Sequence, residues 1–180
     1  MSKDFIITMG LIAIGVTALV VVTSNPKPHR SHTREGGTER SMEDLENAVK
    51  GFESVYSKLP ELGVAETTTD SAEGRRLLAI LLSSADDSAV SENPRQIRFL
   101  SAMEKKGRNR GGLVSQGAGS PPALYDAWGE PFRIFLRKSP SDPLSFTWQG
   151  QSVVLHEAAL AIVSKGPDKV EGSADDLRSW

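Results

Sequence analysis

Cysteine is absent from the 180 residues. A disulfide framework and a thiolate metal site are therefore excluded, and any metal must be held by oxygen or histidine. Charge of one sign is also lacking. The net charge is −2, so no global basic field exists to attract nucleic acid. Familiar catalytic signatures are missing too: there is no Gly-x-Ser-x-Gly elbow, phosphate loop or dinucleotide fingerprint. His156-Glu157 begins like a zinc-protease helix, but Leu160 stands where the second histidine belongs. Without cysteine, Cys/His catalysis is out. The expectation is a protein that is not an enzyme and takes no small-molecule substrate.

What is present begins with an apolar run. Residues 5–22 read FIITMGLIAIGVTALVVV, 18 residues without a charge. That is enough to cross a hydrocarbon core of roughly 30 Å. A cleaved signal peptide usually has an apolar region of about 7–15 residues and a small-x-small cleavage site. This run is longer and ends Val-Val-Thr-Ser-Asn-Pro, so residues 1–22 are predicted to be an uncleaved single-pass anchor. Lys27, Arg30 and Arg34 follow it, and the positive-inside rule taken alone would keep the chain beyond them in the cytoplasm.

Residues 23–40 contain Pro26, Pro28, Gly36 and Gly37 and show no apolar periodicity, which predicts a flexible linker. His29 and His32 within it are expected to be solvated, since no third ligand lies nearby. Residues 41–180 remain for one soluble domain, enough for a single core. Hydrophobic residues at 38% and charged residues at 24% suit a globular domain with some loop.

Ser41 is a candidate N-cap, followed by Glu43, Asp44 and Glu46. Leu45, Ala48, Val49, Phe52, Val55, Tyr56 and Leu59 recur at helical spacing until Pro60. Residues 61–70 read as loop. A second helix carries Leu77, Leu78, Leu81 and Leu82. A third is predicted from Asn93-Pro94 through Ile97, Leu100 and Met103 to Gly107. Residues 105–110 form a basic tip, expected to be a solvated helix end, and residues 111–122 a Gly, Ser and Pro-rich loop. Beyond it, residues 132–136 alternate as a strand, 146–148 and 153–155 form a hairpin about Gln149-Gly150-Gln151, and 160–164 make a further strand. The predicted fold class is α+β: a transmembrane helix, then helices packed on a small antiparallel sheet.

Two segments stand out. Tyr125-Asp126-Ala127-Trp128-Gly129-Glu130-Pro131-Phe132 reads as a tight turn feeding a strand, with Trp128 expected over the core. The tail from Ser164 to Trp180 carries Asp168, Glu171, Asp175 and Asp176 among glycines. Hard oxygen ligands suit Ca²⁺, although no EF-hand pattern is present. By composition alone a calcium site and a solvated acidic tail remain equally open.

Together the two segments resemble the major pseudopilins of type II secretion systems. The family's Asp-Pro-Trp-Gly-Asn-Pro-Tyr-like turn is matched by residues 126–132. Its Ser-x-Gly-x-Asp-Gly loop, paired acids and terminal Trp are matched by Ser164-Lys165-Gly166-Pro167-Asp168, Asp175-Asp176-Leu177 and Trp180. The resemblance implies a pilin-like α+β head on an inner-membrane anchor, facing the periplasm, in a type II secretion or type IV pilus-like assembly. The implied partners are other pseudopilins or secretion-system subunits, besides the membrane at residues 5–22. It implies Ca²⁺ held by the side chains of Asp168, Asp175 and Asp176 and the carbonyls of Lys165 and Val170. Two features depart from the family. The apolar run contains no glutamate, and Pro26 and Pro28 part the anchor from the domain where the family has one continuous helix. They leave a second reading: an anchored extracytoplasmic calcium-binding or protein-interaction module that never enters a filament.

Overall fold

The computed structural model describes residues 34–85, 87–102, 104, 111–115 and 121–180. The predicted anchor, most of the linker, and the basic tip at 105–110 lie outside the described residues. Among those described, no helix is long and apolar enough to cross a membrane.

Helix α1 spans Arg34–Tyr56. It buries Leu45, Ala48, Val49 and Phe52 of the expected stripe, with Met42 one turn earlier, and it ends at Tyr56, so Leu59 lies beyond it. Each of the large side chains contributes about 1.5–3 kcal/mol by leaving water. The helix is already formed at Arg34, seven residues before Ser41. Residues 34–40, expected as linker, are therefore its first two turns. Ser41 is not the N-cap: its hydroxyl donates back to the Gly37 carbonyl at 3.0 Å within the helix.

Strand β1 (Glu66–Thr68) lies inside the segment read as loop. Helix α2 (Ala72–Leu82) follows, capped by Ser71, whose hydroxyl accepts from Gly74 N, and closed by Ser83 in the left-handed conformation. It buries Leu77, Leu78 and Leu81, as predicted. Helix α3 is short, Asp87–Glu92. The helix predicted to start at Asn93 does not form: residues 93–102 are irregular. The Asn93 side chain replaces the helical bonds. Its Oδ1 accepts from Ile97 N and from the Tyr56 hydroxyl, while its Nδ2 donates to the carbonyls of Ile80 and Ile97.

Strands β2 (Gly112–Val114) and β3 (Ala123–Tyr125) pair antiparallel, so a fully buried strand occupies part of the predicted Gly, Ser and Pro-rich loop. Strand β4 (Arg133–Leu136) and strand β7 (Leu160–Ser164) are the predicted strands, and they pair antiparallel. Strands β5 (Leu144–Trp148) and β6 (Gln151–Leu155) form the predicted hairpin. Its turn is Gln149-Gly150, both at positive φ, the mirror-image turn that suits the twist of a two-residue hairpin. Strand β8 (Leu177–Arg178) pairs with β7 and completes a four-stranded sheet in the order β1-β4-β7-β8. The architecture is α+β with antiparallel sheets, as expected.

Two cores result. The main one sits between α1, α2 and the sheet, with Phe52, Phe132, Leu77 and Ile134 at its centre. The second lies on the sheet's other face under the hairpin, built from Phe135, Trp148, Ala161 and Val163 with Phe146 and Trp180 packed against them.

Candidate functional site

The tail loop leaves β7 at Lys165, which is half-buried, and returns at β8. Within it, side chains stand in for the regular backbone bonds of a helix or sheet. Asp168 is exposed, and its Oδ1 accepts from Val170 N at 2.8 Å. Asp175 accepts from the Ser173 hydroxyl through Oδ1 at 2.5 Å and from Asp168 N through Oδ2 at 3.2 Å. Asp176 Oδ2 accepts from Gly172 N at 2.7 Å. Its Oδ1 is buried without a hydrogen-bond partner among the described residues. Val170 is 59% exposed. Gly166 sits at φ +66°, and a Cβ there would overlap the Asp175 carbonyl oxygen, so the two ends of the loop touch at a place only glycine fits.

The predicted ligands thus divide. Asp168 and Asp175 meet directly, whereas Asp176 turns toward Gly172. Among the described residues, no three acidic or histidine side chains converge closely enough to hold a metal.

The electrostatics reflect this arrangement. The Ser173 hydroxyl, the largest influence, and then the Asp168 N–H hold the Asp175 carboxyl below its ordinary range, against the opposing effect of desolvation. Burial pushes the Asp176 carboxyl up; the Gly172 N–H opposes this, and the charges of Glu171, Asp168 and Asp175 add to it. The signs oppose. Asp175 contributes stability above its unfolded pKa that is lost as pH falls through its lower folded value. Asp176 is a liability at neutral pH that is relieved as pH falls through its raised folded value. Replacing Asp176 by Asn should therefore raise the melting temperature in chelator at pH 7, by a shift worth about 0.5 kcal/mol for a group only partly withdrawn from water. A calorimetric scan checks it, and a lower melting temperature would mean the carboxylate charge is needed.

The loop is strapped to the Asp126–Phe132 turn. Asp126 is fully buried. Its Oδ1 accepts from Trp128 N and Glu130 N, both at 2.9 Å, and its Oδ2 accepts from the Ser164 hydroxyl at 2.6 Å. Ser164 Oγ in turn accepts from Gly166 N. Lys169 donates to Glu130 at 2.8 Å, and Arg133 is ion-paired with Glu171 and with Glu66. Gln149 Nε2, on the hairpin turn, donates to the Gly172 carbonyl at 2.8 Å. The buried Thr38 hydroxyl on α1 accepts from Ala127 N. The turn therefore joins α1, the sheet and the tail loop.

Trp128 does not fold over the core as expected. It is half-buried and belongs to none of the hydrophobic clusters, and Phe132 fills the core position instead. Sequence reasoning saw Asp126 as a turn residue and missed it as the tie between segments. A hydroxyl at Ser164 ending an otherwise apolar strand was the available signal, since a buried hydroxyl needs a partner.

A cleft of about 470 Å³ lies between residues 58–65 and 136–140. Of its three cations, Lys58 and Arg137 are ion-paired to Glu92 and Glu53 and the third is Lys138; no histidine lines it. No family model matches the chain, and neither does any curated protein or solved structure.

Proposed function

We propose that the chain is a structural protein of the cell envelope: a pseudopilin-like head on an inner-membrane anchor at residues 5–22, facing the periplasm, within a type II secretion or pilus-like assembly. The observation that carries this reading is the Asp126–Ser164 hydrogen bond. The two segments that resemble the family are far apart in sequence and are built as one unit around that carboxylate. An α+β domain with a long first helix packed on an antiparallel sheet supports the same reading.

The tail loop is proposed to hold Ca²⁺ through Asp168, Asp175 and Asp176 with the carbonyls of Lys165 and Val170. The donor set is all oxygen, the chemistry Ca²⁺ takes, and Asp176 Oδ1 is buried with no partner among the described residues; Asp176 would have to turn from Gly172 toward Asp168 and Asp175 to share an ion with them. When bound, the cation supplies positive charge to a set of mutually repelling carboxylates and accepts oxygen ligands in a flexible geometry that Mg²⁺ tolerates poorly.

The test is a melt of the detergent-extracted full chain in Ca²⁺ and in chelator, beside Asp175→Ala. A ligand that binds only the folded form stabilises it by about 2.7 kcal/mol at a hundredfold excess over its dissociation constant. The wild-type chain should melt several degrees higher in Ca²⁺, and Asp175→Ala should lose the difference. Equal melting temperatures would leave a solvated acidic tail. Membrane fractionation and intact mass test the anchor separately, since a mature chain lacking residues 5–22 would overturn it.

A further inference from the structure

We propose that the cleft between residues 58–65 and 136–140 binds a small carboxylate with an apolar body, its head on Arg137 and Lys138 and its body against Val64. This inference rests on neither the anchor, the calcium loop nor the family resemblance.

Both walls are fixed by the fold. Ser57 turns the chain out of α1 at positive φ, and Leu59 and Leu62 are then drawn into the main core. Leu136 N donates to the Ala65 carbonyl at 2.8 Å and ties the two walls together, while Arg137 N donates to the Ala159 carbonyl at 3.0 Å. The space between them, about 470 Å³, is of the size that takes small ligands. Such sites are mostly apolar, with a few placed polar groups. Val64, on the wall, is 41% exposed, and large apolar side chains this open are few among the described residues.

The polar groups of the cleft lack acceptors. The Arg137 side chain is 8% exposed, yet of its nitrogens only Nη2 is bonded, to Glu53. Its Nε is buried with no partner, and Nη1 makes no hydrogen bond among the described residues. A guanidinium presents its donors in a planar fork that matches a carboxylate, and donors withdrawn from water are costly to leave unmade. Lys138, next in the chain, is exposed and makes no ion pair among the described residues. Neither Glu61, in the same cleft, nor Asp142, in an adjoining one of about 290 Å³, is paired with it.

The charge balance selects the kind of anion. Lys58, Arg137 and Lys138 are offset by Glu92, Glu53 and Glu61, so no net positive field extends from the cleft. A polyanion is therefore not drawn there from a distance. A monoanion is held by contact alone, its head on the open donors and its body on apolar surface that water otherwise covers. A free acid and the end of a peptide chain share this chemistry.

The chain has no cysteine, so Ser139→Cys places a single thiol on the cleft wall. In the detergent-extracted full chain, isocaproate at about ten times its dissociation constant should slow alkylation of that thiol by iodoacetamide about tenfold. Ser54→Cys, on the exposed surface of α1, should react at an unchanged rate. Isocaproamide lacks the charge and acetate lacks the body, so neither should protect at the same concentration. Acetyl-Ala-Leu, tested beside isocaproate, identifies a chain end as the ligand if it protects at lower concentration and a free acid if it does not. In the Ser139→Cys background, Lys138→Gln removes an exposed, unpaired side chain and should raise the half-protecting concentration about tenfold. Arg137→Lys keeps the charge and loses the fork, and should do the same if the variant folds. Absence of protection, equal protection by the amide or by acetate, equal protection at Ser54, or a half-protecting concentration unchanged by Lys138→Gln would overturn the proposal.

Discussion

Asp126→Ala is expected to lower the melting temperature by about 10 °C. The carboxylate is fully buried and accepts from two backbone N–H groups and one hydroxyl. Removing it leaves the buried Ser164 hydroxyl and the part-buried Trp128 and Glu130 N–H groups unpaired, each costing on the order of 1–3 kcal/mol, for a total of about 4 kcal/mol. For a domain of this size each kcal/mol moves the melting temperature by a few degrees. Asp126→Asn separates shape from charge. It keeps an acceptor for Trp128 and Glu130, and its amide can donate to Ser164 Oγ, so about 1 kcal/mol is expected. Denaturant melts of both variants check the pair. A loss under 1 kcal/mol for the Ala variant would show that the turn and the tail loop are not held by this residue.

Glycine-to-alanine changes at two helical positions should have opposite signs. In a helix interior Ala is favoured over Gly by about 1 kcal/mol. At Gly37 on α1 a Cβ meets nothing within 4 Å, so Gly37→Ala should gain about that much. At Gly74 a Cβ would overlap the Thr68 carbonyl oxygen and crowd the Thr69 backbone. Neither neighbour is a side-chain tip that can swing away, so α2 must lift off β1, and overpacking of that kind costs about 3 kcal/mol or more. Gly74→Ala should therefore be destabilising by a net 2–3 kcal/mol, making a contrast of about 3–4 kcal/mol with Gly37→Ala. Equal effects at the two sites would mean that α2 sits further from β1 than the structure places it.

Some of this architecture was legible in the sequence because single-element patterns were strong. The apolar spacing from Leu45 to Phe52 faces one core, the alternation of residues 132–136 marks β4, and the uncharged run of β7 is a buried strand. The Gln-Gly turn was readable because its two residues sit at positive φ, where glycine is at home. Failures came where long-range partners override local chemistry. Gly36 and Gly37 look like linker, yet they are helical because Thr38 and Met42 are buried against the rest of the domain. Asn93-Pro94 looks like a helix start, yet the Asn93 amide finds partners on α2 and α1 and consumes the bonds a helix would use. Strands β1, β2 and β8 hold three, three and two residues, too few for any periodicity to show. In the tail the acidic residues were legible as a cluster. Their division, with Asp168 and Asp175 together and Asp176 apart, depends on turns at Lys169 and Gly172, both at positive φ, that composition does not encode.

The aromatic ladder beneath the hairpin gives the tail loop an optical reporter. Phe135 stacks on Phe146 at 4.1 Å, and Trp180 meets the edges of Phe146 and Trp148 at 5.1 and 6.0 Å. Trp148 is buried, while Trp180 closes the cluster directly after the loop and β8. Two indoles at that separation couple their excited states and share a common apolar surround. Emission wavelength and near-ultraviolet dichroism therefore register whether the segment after β7 is seated, without any added label.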